Sequence, residues 1–291
     1  MRVAVIAHVF YPHLWLELAA CIRNIADEKD VFITYSDDSA VGAARADFPE
    51  ARFVRCENRG YDIWPFLKVL QEIDLARYGC VVKLHTKRDI DQDLAMNHTW
   101  LADSLWREYL LKFVKTRRAW QKTCRRLDCA DIGMVADRHV VFPKGALERR
   151  FQATYDRARE EVEALCGKRV DEGPYVAGTM FAVRPEPLKL LLKRTYRAEM
   201  FESYGGHDRE TYAHVMERMM GLCVAAVGLR IEVWSGSARR RIDHYASRTF
   251  WGKIRRFVFK RQVRNWTYSV KVLGLPVLVR RMRRIDKLIR T

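Results

Sequence analysis

The sequence predicts an α/β domain, a mostly parallel central sheet flanked by helices, followed by a basic helical C-terminal tail. Three observations carry this prediction. Strand-like and helix-like stretches alternate through residues 1–89. The strand candidates are short apolar runs that end in polar or aromatic residues, as strands do where a parallel sheet meets its ligand. Charge is uneven: residues 239–291 hold 17 of the 53 Lys and Arg residues and 2 of the 36 Asp and Glu residues, a net charge of +15, which leaves +2 for residues 1–238.

Taken in order, "RVAVIAHVF" is a buried strand and "LWLELAACIRNIA" a helix with Leu14, Leu18, Ile22 and Ile25 on one face. "DVFITYSD" is a second strand, "SAVGAARADFP" a short helix stopped near Pro49, and "ARFVRCEN" a third strand. "YDIWPFLKVLQEID" starts a helix near Trp64 and Pro65, and "GCVVKLHTKRD" is a fourth strand. This order implies a doubly wound parallel sheet. The strand ends, 7–11, 35–38, 57–62 and 85–89, then share a rim. "TWLADSLWREYLLKFVKTRRAWQKTCRRL" reads as one long helical region. A strand in "ADIGMVADRHVVFP" and a helix "FQATYDRAREEVEALCG" ended by Gly167 follow. "YVAGTMFAVRPEPLKLLLK" is a strand, a turn and a helix; "HDRETYAHVMERMMG" is a helix capped by Gly221; "CVAAVGLRIEVW" is a last strand. Composition shifts at "SGSARRR", so the expected division is 1–238 for the domain and 239–291 for the tail.

The seven scattered cysteines form no C-x-x-C pair, which points to a reducing cytosol. The apolar N-terminus reads as a core strand rather than a signal peptide, and no run approaches a membrane span. P-loop, G-x-G-x-x-G and G-x-S-x-G motifs are absent from the sequence.

Four constellations carry candidate chemistry. "ENRGYD" offers Asn58, Arg59, Gly60 and Asp62, an amide, a cation and an acceptor in one turn, which suits a sugar nucleotide and also fits a polar β-turn. In "KLHTK", Lys87 suits phosphate oxygens and His85 and Thr86 can donate to them; a solvated strand end is the other reading. "YVAGTMFAV" thins to Gly178, Thr179 and Met180, which fits close approach of a ligand or tight packing at a sheet edge. In "ETYAHVMERMMG", His214 and Glu217 share a helix face, a pattern for a general base or for a capped histidine and an ion pair, with Asp208 just upstream. A His and a Glu at this spacing, without a third ligand, do not define a metal site. The tail alternates cations with Trp251, Phe257, Phe259, Trp266 and Tyr268 and ends in "VLVRRMRRIDKLIR", read as a basic amphipathic helix for an anionic membrane surface, with nucleic acid as the rival partner.

"ENRGYDIWPFL", "VVKLHTKRD", "YVAGTMFAVRPEPL" and "HVMERMMG" together resemble the rhamnan synthesis protein F family, over roughly residues 1–235. The family in turn resembles GT-A glycosyltransferases, and the resemblance implies a GT-A-like single domain. It places Asn58 and Asp62 at the nucleotide sugar and His85, Thr86 and Lys87 at its diphosphate. It places residues 178–180 on the acceptor side and makes Glu217 the base, with Asp208 in reserve and His214 beside it. "KLHTK" stands where many such enzymes carry a D-x-D that holds Mg²⁺ or Mn²⁺, so no obligatory metal cofactor is expected. The expectation is a glycosyltransferase at the cytoplasmic face of the cell membrane. It would move a sugar such as rhamnose from a nucleoside diphosphate to a growing, lipid-carried saccharide, with no nucleic acid as partner. The alternatives are a non-catalytic saccharide- or nucleotide-binding subunit on the same fold, and a nucleic-acid-associated protein that uses the tail.

Overall fold

In a computed structural model, which describes residues 1–87, 94–96, 99–101, 103–144, 149–203, 210–233, 259–264, 267–272 and 275–281, the strand β1 (Val3–Val9) is buried along its whole length. Its sequence has no polar alternation because both faces of a central strand are covered. Helix α1 (Trp15–Asn24), β2 (Lys29–Tyr35), α2 (Gly42–Asp47), β3 (Arg52–Arg55), α3 (Ile63–Glu72) and β4 (Cys80–His85) follow in the expected alternation. Leu18 and Ile22 of α1 are buried, as is Ile25 just beyond it, while Leu14, expected on the same face, precedes the helix and is half-buried.

After β4 come the antiparallel pair β5 (Leu94–Met96) and β6 (Thr99–Leu101), then α4 (Asp103–Leu111) and α5 (Arg117–Leu127). The predicted long helix is therefore two helices preceded by a strand. The break has a local cause: Thr116 is extended and its hydroxyl accepts the Ala119 N–H at 3.0 Å, an N-cap that starts α5 afresh. Strands β7 (Ile132–Ala136) and β8 (Val141–Phe142) precede α6 (Arg149–Cys166), which ends at Gly167 with φ +69°. The predicted strand in "YVAGTMFAV" is divided into β9 (Tyr175–Val176) and β10 (Phe181–Val183). Helix α7 (Pro185–Leu191) opens on a proline at its first turn.

Helix α8 (Tyr212–Ala226) differs from expectation. It runs through Gly221 and takes in Cys223–Ala226, where the sequence predicts the last strand; that strand, β11, is only Arg230–Val233. Gly221 does not cap the helix. A Cβ there would lie 2.5 Å from the Pro174 carbonyl oxygen and 2.6 Å from Tyr175 Cα, so the glycine lets α8 touch the β9 backbone.

One sheet has the order β11-β7-β10-β4-β1-β2-β3. Its neighbours are parallel except β10, which runs antiparallel to both β4 and β7. The result is an α/β fold: a mostly parallel seven-stranded sheet with helices around it.

The tail is where the helical expectation fails. Residues 259–281 contain β12 (Phe259–Arg264), β13 (Thr267–Val272) and β14 (Leu275–Arg281), a three-stranded antiparallel sheet. Tyr268, Val270 and Val272 alternate with Thr267, Ser269 and Lys271, a period of two that favours a strand over a helix. The predicted amphipathic helix thus begins inside β14, and its remainder, residues 282–291, lies outside the described residues. The chain forms two compact units: Met1–Arg88 with Tyr109–Ser235, and Asp89–Glu108 with Gly236–Thr291. The first carries the seven-stranded sheet; the second carries the β5–β6 pair and the β12–β14 sheet. Among the described residues no helix is long and apolar enough to cross a membrane.

Candidate functional site

β1 and β4 lie side by side with His8 opposite His85, so their carboxyl ends leave the sheet together. Lys83 and His85 are two residues apart on β4 and share a face. Lys83 is 1% exposed. Its ammonium bonds the Asp62 carboxylate, donates to the Thr179 hydroxyl at 2.8 Å and lies 5.3 Å from the centre of the Phe66 ring. Thr179 in turn donates to the same Asp62 oxygen. His85 Nε2 meets the Gly178 carbonyl oxygen at 2.8 Å, and its Nδ1 stands 3.7 Å from Asp62 Oδ1. Three stretches singled out in the sequence, "ENRGYD", "KLHTK" and "AGTM", therefore meet in one buried cluster: Asp62, Lys83, His85 and Thr179.

Two tight turns hold the cluster. Gly60 and Tyr61 have φ values of +60° and +54°, and Gly178 and Thr179 of +77° and +52°. Consecutive left-handed residues reverse the chain in the least space. At Gly60 a Cβ would lie 2.7 Å from the Phe201 ring, so no larger residue fits.

The electrostatics follow from burial. Burial acts to raise the Asp62 carboxyl, but the groups against it, His85, Lys83 and then Lys87, outweigh this and hold it far below the usual carboxylate range. Burial pushes the Lys83 ammonium down, with Asp62 working against it. Burial also pushes His85 down to about 3 and His8 to about 4. Both rings are neutral at physiological pH, so Lys83 is the cation that balances Asp62. Because a carbonyl oxygen only accepts, the His85 proton is on Nε2.

The remaining predicted residues are placed as follows. The Thr86 hydroxyl accepts the N–H groups of Phe10 and Tyr11 at 2.8 and 2.9 Å and so fixes the loop after β1. Lys87 follows, half-buried. Asn58 is exposed on the same turn as Asp62. Arg59 is turned away from that turn and donates to the Phe201 carbonyl at 2.8 Å, and the Gly60 N–H bonds the Glu202 carbonyl. Met180 is fully buried. Glu217 reaches the 178–180 turn: its Oε1 accepts the Gly178 N–H at 2.7 Å and its Oε2 pairs with Arg218 at 3.0 Å. His214 caps α8, its Nδ1 accepting the Thr211 N–H at 3.0 Å. Asp208 lies outside the described residues.

The sequence reading missed Lys83 and Arg218. Arg218 is 3% exposed, bridges Glu217 and Glu210 and sits 5.0 Å from the Tyr175 ring centre. Each had a signal, a cation inside an otherwise apolar strand or helix, where a charge stays only if it is paired. A divalent ion does not suit the cluster. The Asp62 oxygen nearest it already holds an ammonium and a hydroxyl, and a metal there would face Lys83. Among the described residues no group of three or more His, Cys, Asp and Glu side chains is spaced to hold a metal.

Fold and rim together define an α/β protein whose parallel strands end at a buried polar cluster. The chain belongs to the rhamnan synthesis protein F family, whose pattern matches residues 1–228. Among curated proteins, the uncharacterized protein WxcX of Xanthomonas campestris pv. campestris strain B100 is 29% identical over 178 residues, 60% of this chain and 24% of the relative. WxcX of a second strain of that pathovar is 28% identical over the same shares. The match thus spans about a quarter of the length of these relatives. Similarity to solved structures is weak. CMP:2-keto-3-deoxy-manno-octonic acid synthetase complexed with CTP is 12% identical, with a TM-score of 0.38 over 80% of this chain and 88% of that one. Glucosyl-3-phosphoglycerate synthase from Mycobacterium tuberculosis, with Mn²⁺, UDP and glucosyl-3-phosphoglycerate, is 12% identical, with a TM-score of 0.36 over 96% and 89%.

Proposed function

We propose that the protein transfers a sugar, a deoxyhexose such as rhamnose, from a nucleoside diphosphate to a growing surface saccharide. The observation that carries this reading is the buried Asp62–Lys83–His85–Thr179 cluster at the carboxyl ends of β1 and β4, in a chain of the rhamnan synthesis protein F family. Open α/β sheets bind ligands at this rim.

In this reading Asn58 and the Asp62 turn contact the nucleotide sugar, and Lys87 faces its diphosphate. His85 and Thr86 act from behind: they fix the 178–180 turn and the 8–11 loop that shape the rim. Lys87 neutralises the leaving diphosphate directly, and no step passes through a metal. Glu217, held by the Gly178 N–H and Arg218, sets the acceptor-side turn. The acceptor is carried on a membrane lipid, and the basic residues of 239–291 bring the protein to that anionic surface on its cytoplasmic side.

The test is thermal stabilisation of the full chain by a panel of nucleotide sugars including dTDP-rhamnose and UDP-glucose. A donor present at about 100 times its Kd stabilises by about 2.7 kcal/mol. At least one donor is expected to raise Tm, and Lys87→Ala is expected to weaken that shift. A panel that leaves Tm unchanged contradicts the reading.

A further inference from the structure

A second cluster stands on the same rim, apart from Asp62, Lys83, His85 and Thr179. Asp137 is the first residue beyond β7 and is fully buried. Its Oδ1 accepts the His139 main-chain N–H at 2.9 Å and lies 2.5 Å from His139 Nδ1. The His139 ring stacks on Tyr109, with centroids 3.9 Å apart. Lys112 stands 3.8 Å from Asp137 Oδ2.

The sheet register places this cluster. Ala182 of β10 faces Val82 of β4 on one side and Val135 of β7 on the other. Because β10 is antiparallel to both, the carboxyl ends of β4 and β7 flank the turn that enters β10, residues 178–180. His85 leaves the sheet on one side of that turn and Asp137 on the other. The Ala177 N–H bonds the Val140 carbonyl at 2.8 Å, which ties the segment after Asp137 to the same turn.

The hydrogen bonds also assign the tautomer. A carboxylate only accepts, so His139 Nδ1 carries the proton. Nε2 lies 3.2 Å from Arg138 Nη2, a group that only donates, so Nε2 carries the lone pair. An imidazole whose Nδ1–H donates to a buried carboxylate and whose Nε2 keeps its lone pair is the form of a general base. Arg138 is half-exposed at the surface, and moving its long side chain frees that lone pair. Glu217 is arranged in the opposite way, with both oxygens engaged.

We propose that His139 takes the proton of the acceptor hydroxyl in glycosyl transfer and that Asp137 positions it. The inference rests on the transfer reading above. In the step, the acceptor O–H bond breaks and its proton goes to His139 Nε2. The oxygen forms a bond to the sugar C1, and the C1–O bond to the diphosphate breaks, its electron pair leaving with the nucleoside diphosphate. Asp137 stabilises the imidazolium, which then gives its proton to water.

The experiment measures transfer from dTDP-rhamnose or UDP-glucose to p-nitrophenyl rhamnoside by the full chain. His139→Ala and His139→Gln are expected to lower kcat by about 10²–10⁴, with donor KM and donor-induced thermal shift near wild type. Added imidazole is expected to restore part of the His139→Ala rate, which a merely structural role for His139 would not allow. Asp137→Asn is expected to lower kcat by up to about 10⁴, again with donor KM held. Wild-type rates in both His139 variants overturn the inference and leave the transfer reading standing, and so does loss of kcat only in Asp208→Asn or Glu217→Gln. Absence of turnover by the wild-type chain overturns both.

Discussion

Lys83 shows how a single residue exposes the site. A lysine is almost never fully buried unless paired, and here Asp62 and Thr179 supply the partners. Breaking such a pair leaves an uncompensated buried charge, so the cluster is held together as a unit. The buried histidines beside it give a pH dependence whose direction is fixed. Their folded values, about 4 for His8 and about 3 for His85, lie below the ordinary 6.5. As pH falls through 6.5 the unfolded chain takes up protons that the folded chain refuses. Stability from these groups is therefore complete above 6.5 and is lost on acidification, at up to about 1.4 kcal/mol per pH unit for each ring. Asp62, depressed in the fold, contributes in the same sense at lower pH. Urea midpoints are expected to fall from about pH 7 to about pH 4.5, with a shallower slope in His8→Gln and His85→Gln. Equal slopes in wild type and variants contradict the assignment. Asp62, His85 and Thr179 were legible as candidates because each sits at a strand end or a turn. Lys83 was not, because the alternation of a fully buried strand does not tell which face meets a ligand.

At the scale of elements, α8 is the piece the sequence described least well. Gly221 looks like a helix stop, because glycine so often is one. In the fold it is a contact point, and the helix ends only where Gly228 adopts φ +79°. A local pattern cannot distinguish a glycine needed for its backbone angle from one needed for its missing side chain. Gly221→Ala is expected to destabilise the protein by about 1–3 kcal/mol through overpacking against Pro174 and Tyr175. Gly42→Ala, with no atom within 4 Å of the new methyl, is expected to have little effect. Urea denaturation of the two variants checks this, and equal midpoints would contradict it. The strands β12–β14 carry the same lesson for cationic segments: arginines on an apolar stripe suggest a helix, while the β-branched and aromatic residues between them favour strands.

For the whole molecule, the alternation of strands and helices in residues 1–89 was enough to predict the parallel half of the sheet. The positions of β7, β10 and β11 were not legible, because pairing between strands far apart in sequence leaves no local trace. That pairing brings the 178–180 turn and Asp137 to the rim already occupied by Asp62 and His85. The functional reading rests on this convergence together with membership of the rhamnan synthesis protein F family. The most direct measurement is turnover by the purified full chain of radiolabelled dTDP-rhamnose and UDP-glucose, with and without a rhamnoside acceptor. The account predicts nucleoside diphosphate release coupled to labelled saccharide, reduced at least tenfold by Lys87→Ala. A chain that binds these donors yet releases no diphosphate and labels no acceptor would contradict it and make the protein a saccharide- or nucleotide-binding subunit.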